Sequence, residues 1–151
     1  MKKKHNSQLK VIDAFKEQGI EIEIFNLDVF TKTSQEAADA VNCDIKQIAK
    51  SIVFFEGIQN KLIQIFVSGP NRVNLKSFKN QTNLSIEKAD ANYVRESTGF
   101  AIGGVAPLGH KNEPLYFFDN TLVDFNEVWC AAGTPNSVSY THLTLPTIYS
   151  V

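Results

Sequence analysis

Two apolar runs, Ser51-Ile52-Val53-Phe54-Phe55 and Lys61–Val67, stand only five residues apart, and they constrain this chain more than any other feature. Runs of that length, rich in β-branched and aromatic residues, read as strands buried on both faces. The separator Glu56-Gly57-Ile58-Gln59-Asn60 is polar and holds a glycine, so the pair reads as a hairpin. The flanking pattern supplies its cover. Leu9, Ile12 and Phe15 fall at three-residue steps in a helix over Gln8–Gln18, with Gly19 suited to close it. Ile20-Glu21-Ile22-Glu23-Ile24 alternates strictly and predicts a half-exposed strand.

Thr33-Ser34-Gln35-Glu36 is a capping box for a short helix through about Val41, with Ala37, Ala38 and Val41 inward. Asp44, with Gln47 three residues on, predicts a second helix that includes Ile45, Ile48 and Ala49. Ser68–Arg72 reads as a loop, Leu75–Lys79 as one helical turn, and Asn92–Ser97 as a helix stopped by Gly99. Leu115–Phe118 and Glu127–Ala132 predict further strands, the first ended by Asp119-Asn120. Helices followed by hairpin-linked strands argue for an α+β single domain. The expected architecture is a mixed, curled β-sheet with helices packed outside.

The chain has 151 residues, 43% hydrophobic and 21% charged, which suits one ordinary core. Its formal net charge of −1 argues against a protein held along nucleic acid by bulk electrostatics, so any such partner is gripped locally. Cys43 and Cys130 lack a redox or metal spacing, which points to a reducing compartment. No run approaches the ~20 apolar residues of a membrane span, and the basic start Lys2–Lys4 leads into no apolar stretch. A cytoplasmic location is the expectation, with Lys2–Lys4 as a solvated end.

Candidate chemistry is sparse. Lys50 sits between Ile48-Ala49 and Ile52-Val53, where its ammonium either snorkels to the surface or points into a cleft. In a cleft it would be a point charge for phosphate or carboxylate, or a base if desolvated. Gly99–Gly109, Gly-Phe-Ala-Ile-Gly-Gly-Val-Ala-Pro-Leu-Gly, offers backbone N–H and C=O groups and no reactive side chain. It is either an apolar turn or a ligand-facing loop. Asp119 is either a turn residue or an active-site acid. His5, His110 and His142 lack metal-ligand spacing, and no nucleophile elbow or P-loop is present, so no metal and no cofactor is expected. An enzyme built this way has to position a substrate that is already reactive. Arg72, Lys76 and Lys79 are either a local basic rim or ordinary solvated charges.

Taken together, Thr33–Ala38, Ile48-Ala49-Lys50-Ser51-Ile52-Val53-Phe54, Ser97–Gly109, Asp119-Asn120-Thr121-Leu122 and Ala131–Asn136 resemble the YbaK/EbsC family of aminoacyl-tRNA deacylases. That family is similar to the editing domain inserted in bacterial prolyl-tRNA synthetases. The resemblance spans roughly Leu9 to Val138. It implies hydrolysis of the ester on a mischarged tRNA, alanyl or cysteinyl on proline tRNA, in the service of translation fidelity. It implies that Lys50 and Gly103 are catalytic, with Lys50 holding the terminal nucleotide. It implies that Gly104, Val105, Pro107, Gly109, Asp119 and Gly133 bind substrate.

The implied partners are the aminoacylated tRNA acceptor end and an aminoacyl-tRNA synthetase, with no membrane and no DNA. A non-catalytic module for aminoacylated ends or a nucleotide-like ligand, and a hydrolase of small acyl esters, need the same concave loop. The domain is expected over 1–138. Residues 139–151 carry no helical periodicity, are interrupted by Pro146, and read as a non-native tail in place of a closing helix. No tyrosine stands in the first strand, where some cysteine-editing members of the family place one.

Overall fold

The structure is a computed structural model that describes residues 6–27 and 33–141 together with the backbone of residues 148–150. In chain order its elements are α1 (Asn6–Glu17), β1 (Phe25–Asn26), α2 (Ser34–Val41), β2 (Ala49–Glu56), β3 (Lys61–Ser68), α3 (Leu75–Thr82), β4 (Ile86–Lys88), α4 (Ala91–Thr98), β5 (Leu115–Phe118), β6 (Val128–Ala131), β7 (Ser137–Thr141) and β8 (Ile148–Ser150). Short 3-10 turns occupy Ile45–Gln47 and Asn120–Asp124. The fold is α+β with mixed sheets, as the pattern of elements predicts.

The hairpin forms as expected, with Lys50 paired to Val67 and Val53 to Gln64. β3 lies at the centre of a five-stranded sheet of order β4-β2-β3-β5-β8, in which β5 runs parallel to β3. A three-stranded sheet of order β1-β7-β6 joins it at a bridge between Ile48 and Trp129. The apolar runs are continuous because both faces of the hairpin are covered. On one face Phe54, Ile63, Ile65 and Val67 pack with Phe78 of α3 and with Phe117. On the other, Val53 packs with Val11 and Phe15 of α1, Val94 of α4, and Phe100 and Val105. Ala49 and Phe66 meet Tyr116, Leu122, Val128 and Cys130.

Helix starts follow capping chemistry. The Thr33 hydroxyl accepts from Glu36 N–H at 3.2 Å, and the Asn74 and Asp90 side chains do the same for Ser77 and Tyr93. Ala37 and Ala38 are buried as expected, while Val41 is only half-buried. α4 ends at Gly99, whose φ of 81° takes the left-handed cap.

Three expectations are corrected. Ile20–Ile24 keeps its alternating burial but joins no ladder. Ile20 and Ile22 pack on the core, and strand pairing begins only at Phe25, opposite Val138. Alternation reports a half-buried extended segment, and a strand additionally needs a neighbour. The Asp44–Gln47 capping box is present but opens a single 3-10 turn. Ile48 and Ala49 leave it because the bridge to Trp129 and the pairing with Ser68 claim their backbones. α3 runs through Thr82 and is longer than the one turn expected. β4, β7 and the turn at Asn120–Asp124 come in addition to the expected elements. Lys2–Lys4, and residues 142–147 and 151 of the expected tail, lie outside the described residues. Among the described residues no helix is long and apolar enough to cross a membrane.

Candidate functional site

β4 pairs β2 only over Phe54–Glu56, with Ala89 N–H continuing to the Val53 carbonyl at 3.1 Å. Among the described residues, the β2 edge then runs without a partner strand until the Ile48–Trp129 bridge. A cleft of about 220 Å³ opens beside that gap. Lys50 and Ser51 form one wall, Gly103 and Pro135 another, and Trp129, Cys130 and Ala131 of β6 a third. The structure therefore brings together the two residues that the family resemblance singles out as catalytic.

The Lys50 ammonium is half-buried and donates to the Asn71 carbonyl at 2.5 Å. Burial and the neighbouring Arg72 guanidinium hold its pKa below the usual lysine value, against a smaller upward pull from Asp119. Asp119 reaches the same loop from the end of β5. Its carboxylate accepts from Asn71 Nδ2 at 2.7 Å, Ser68 N–H at 3.2 Å, Thr121 N–H at 3.0 Å and the Thr121 hydroxyl at 2.8 Å. Burial raises its pKa, but these donors outweigh burial and leave it below the ordinary carboxylate value. Asp119 is thus both the cap of the Asn120–Asp124 turn and the anchor for the loop that holds Lys50.

The glycine-rich segment divides its labour. Gly103 is exposed at the cleft with φ 85°, a conformation that side chains other than glycine's resist. Gly104 is buried, and a Cβ there would lie 2.7 Å from the Thr134 carbonyl carbon. Its carbonyl accepts from Gly133 N–H at 3.1 Å, which ties the segment to the turn after β6. Gly133 in turn abuts helix α1, where a Cβ would meet the Ser7 carbonyl oxygen at 2.7 Å. Gly109 lies against the Lys10 carbonyl, Val105 is in the core, and Pro107 is buried. Of the eight residues singled out, Lys50 and Gly103 line the cleft, Asp119 is linked to Lys50 through Asn71, and the other five do not line the cleft.

Beneath Gly103 runs a buried polar link. Gln64, fully buried on β3, donates from Nε2 to the Ser51 hydroxyl oxygen and to the Ala106 carbonyl, the latter at 3.1 Å. His110 contacts the Tyr116 hydroxyl at 3.2 Å. Burial pushes its pKa down to about 4, offset only in part by the Ala106 backbone, so it is a neutral ring. Cys130 lines the cleft, but full burial pushes its thiol up to about 12, which keeps it protonated and a poor nucleophile.

A larger hollow of about 480 Å³ lies on the far side of Asn71 and Asp119, between β3 and α3. Arg72 lines it; Lys76 and Lys79 do not, and Lys79 instead donates to the Asn83 carbonyl at the end of its own helix. The smaller cleft is the candidate site because it alone of the two holds Lys50 and Gly103.

Residues 30–145 match the family described as the aminoacyl-tRNA editing domain. The chain belongs to that family. The chain is 29% identical over 117 residues to YwhH, an uncharacterized protein of Bacillus subtilis (strain 168), covering 78% of this chain and 74% of that one. It is 29% identical over 92 residues to a proline–tRNA ligase of Brachyspira hyodysenteriae (strain ATCC 49526 / WA1). That match takes in 60% of this chain and only 16% of the ligase. Among solved structures, a candidate trans-editing enzyme for prolyl tRNA synthetase superposes with a TM-score of 0.85 at 35% identity, covering 93% of this chain and 88% of that one.

The residues that pattern reading passed over are those whose role uses the main chain or arises across sheets. Asn71 holds Lys50 through its backbone carbonyl, which no side-chain signal announces. Trp129 is half-buried, packs against the cluster of Ala37, Ala38 and Ile48, and also lines the cleft wall. Gln64 did carry a signal: a lone amide inside the apolar run Lys61–Val67 has to find buried partners.

Proposed function

We propose that this editing domain is a trans-acting deacylase, which hydrolyses the ester of a mischarged aminoacyl-tRNA, alanyl or cysteinyl on proline tRNA. The observation that carries the reading is the presence of Lys50 and Gly103 on the walls of one small cleft. A cleft of about 220 Å³ suits a small aminoacyl group, with the remainder of the tRNA outside it. Water adds to the ester carbonyl carbon, and the carbonyl electron pair moves onto oxygen. Collapse breaks the bond to the ribose oxygen, which takes up a proton, and the free amino acid leaves.

An ester of this kind is already activated, so orientation and preorganised dipoles carry the step. A single well-placed donor to the developing oxyanion is worth about 3 to 4 kcal/mol. In this reading Lys50 holds the phosphate of the terminal nucleotide, with Asn71 and Asp119 fixing where its ammonium stands. Gly103 presents backbone to the aminoacyl group, and the substrate's ribose hydroxyl orients the water. Gly104, Val105, Pro107, Gly109 and Gly133 hold the loop in shape. The partner is the tRNA acceptor end, delivered with or without a synthetase, and the compartment is the cytoplasm.

The test is incubation with a panel of mischarged tRNAs, alanyl- and cysteinyl-tRNA for proline among them. Release of amino acid above the buffer rate is expected, and Lys50→Ala should slow it mainly through weaker tRNA binding. Saturable binding of charged tRNA with no release would instead identify a non-catalytic module. Equal cleavage of free aminoacyl esters would identify a small-ester hydrolase.

A further inference from the structure

The direction of one hydrogen bond at Gln64 sets the role of Ser51. The Ala106 carbonyl can only accept, so the Gln64 edge that faces it is the Nε2 edge. The same Nε2 reaches Ser51, so the Ser51 oxygen is the acceptor there as well. Both amide protons are thereby used, and Gln64 Oε1, fully buried, has no partner among the described residues. It does not take the Ser51 proton. Among the described residues no other acceptor takes it either. Ser51 is half-buried on the wall that both the cleft and a neighbouring hollow of about 330 Å³ share with Gly103. Its hydroxyl proton is left for whatever enters there.

We infer that Ser51 is a hydrogen-bond donor to the reacting carbonyl oxygen, held in that role by Gln64 as a positioning residue. The inference rests on the deacylase reading and adds to it the group that meets the oxyanion. Ser51 is not the nucleophile in this scheme. A neutral carboxamide that donates to a hydroxyl oxygen cannot remove its proton, and the neighbouring Cys130 thiol is itself protonated. The O–H stays intact throughout. It strengthens its hydrogen bond as negative charge builds on the substrate oxygen and relaxes when the intermediate collapses. The residue in the apolar run that looks out of place, Gln64, is there to fix the rotation of one hydroxyl on the adjacent strand.

The experiment uses the full chain with two probes of an alanyl-adenosine end. One is a hydrolysis-resistant amide, and the other is a phosphonate whose tetrahedral oxygens carry charge where the oxyanion would form. Ser51→Ala should weaken phosphonate binding ~100-fold, the range for loss of one oxyanion donor, while leaving amide binding nearly unchanged. Against mischarged tRNA it should lower kcat by a similar factor with KM held. Ser51→Thr keeps the hydroxyl and should restore most of both. Gln64→Leu should lower kcat by less than Ser51→Ala does, again without moving KM.

Equal losses on both probes, or full activity in Ser51→Ala, would overturn the assignment even where wild-type turnover upholds the deacylase. Serine-dependent phosphonate binding without any tRNA turnover would keep the assignment and overturn the deacylase. A wild-type chain that neither discriminates the probes nor releases amino acid would overturn both.

Discussion

His110 makes the fold lose stability in a defined window of mild acid. The folded ring resists protonation until about pH 4, while the free side chain has an ordinary pKa of 6.5. Between those values the unfolded chain binds more protons than the folded one, so stability rises with pH across the window and falls as pH drops through it. A difference of that size corresponds to about 3 kcal/mol once pH is below both values, and about 2 kcal/mol of it is already lost at pH 5. Against a total stability of about 5 to 15 kcal/mol for an ordinary domain, that is a visible fraction.

The sign is opposite to the usual case of a histidine that gains an acidic partner, because here burial against Phe100 and Tyr116 is what moves the pKa. Asp119 also loses its contribution in acid, but its folded pKa lies below 3.8, so its loss falls beneath the His110 window. Urea unfolding at pH 7.5, 6, 5 and 4.5 of the wild type and of His110→Gln gives the answer by difference. Carboxylates common to both chains cancel. The wild type should lose about 2 kcal/mol more than the variant between pH 7.5 and 5. Parallel curves for the two chains would refute the claim that a buried neutral imidazole is what the acid attacks.

Two further perturbations probe the site's framework. Gly104→Ala should destabilise by about 1 to 3 kcal/mol or more in a thermal melt, since the new Cβ meets backbone of Thr134 that cannot swing away; an unchanged Tm would show that the seam has slack. Cys130 should resist thiol labelling at pH 8 in the folded chain and react once the chain is unfolded. Rapid labelling in the folded state would mean that the cleft wall opens.

What the sequence discloses and what it hides divide along one line. The β2–β3 hairpin was legible because its signal is local: two apolar runs and a polar turn, which packing on both faces then explains. The caps at Thr33, Asp44 and Gly99 are local too, although the Asp44 box shows that a cap specifies a start and not a length. Ile20–Ile24 misled because alternation records a wet side and a dry side and says nothing about whether a neighbour strand is present. The candidate site was legible as the pairing of Lys50 with the Gly99–Gly109 segment through a family resemblance. Its working geometry was not, since Asn71 acts through a carbonyl and Gly104 through the close approach of two main chains.

The seam of Ser7, Gly133 and Gly104 has a consequence for the order of events during folding. Its members stand at positions 7, 104 and 133, far apart in the sequence, and their contacts are backbone to backbone. No local stretch can make them, so the loop-closure entropy is spent before the contact rewards it, and such contacts form late. The β2–β3 hairpin, by contrast, closes over a four-residue turn. Lys50 therefore stands on a hairpin closed by local contacts, while the loop that carries Gly103 is held by contacts between residues far apart in the chain.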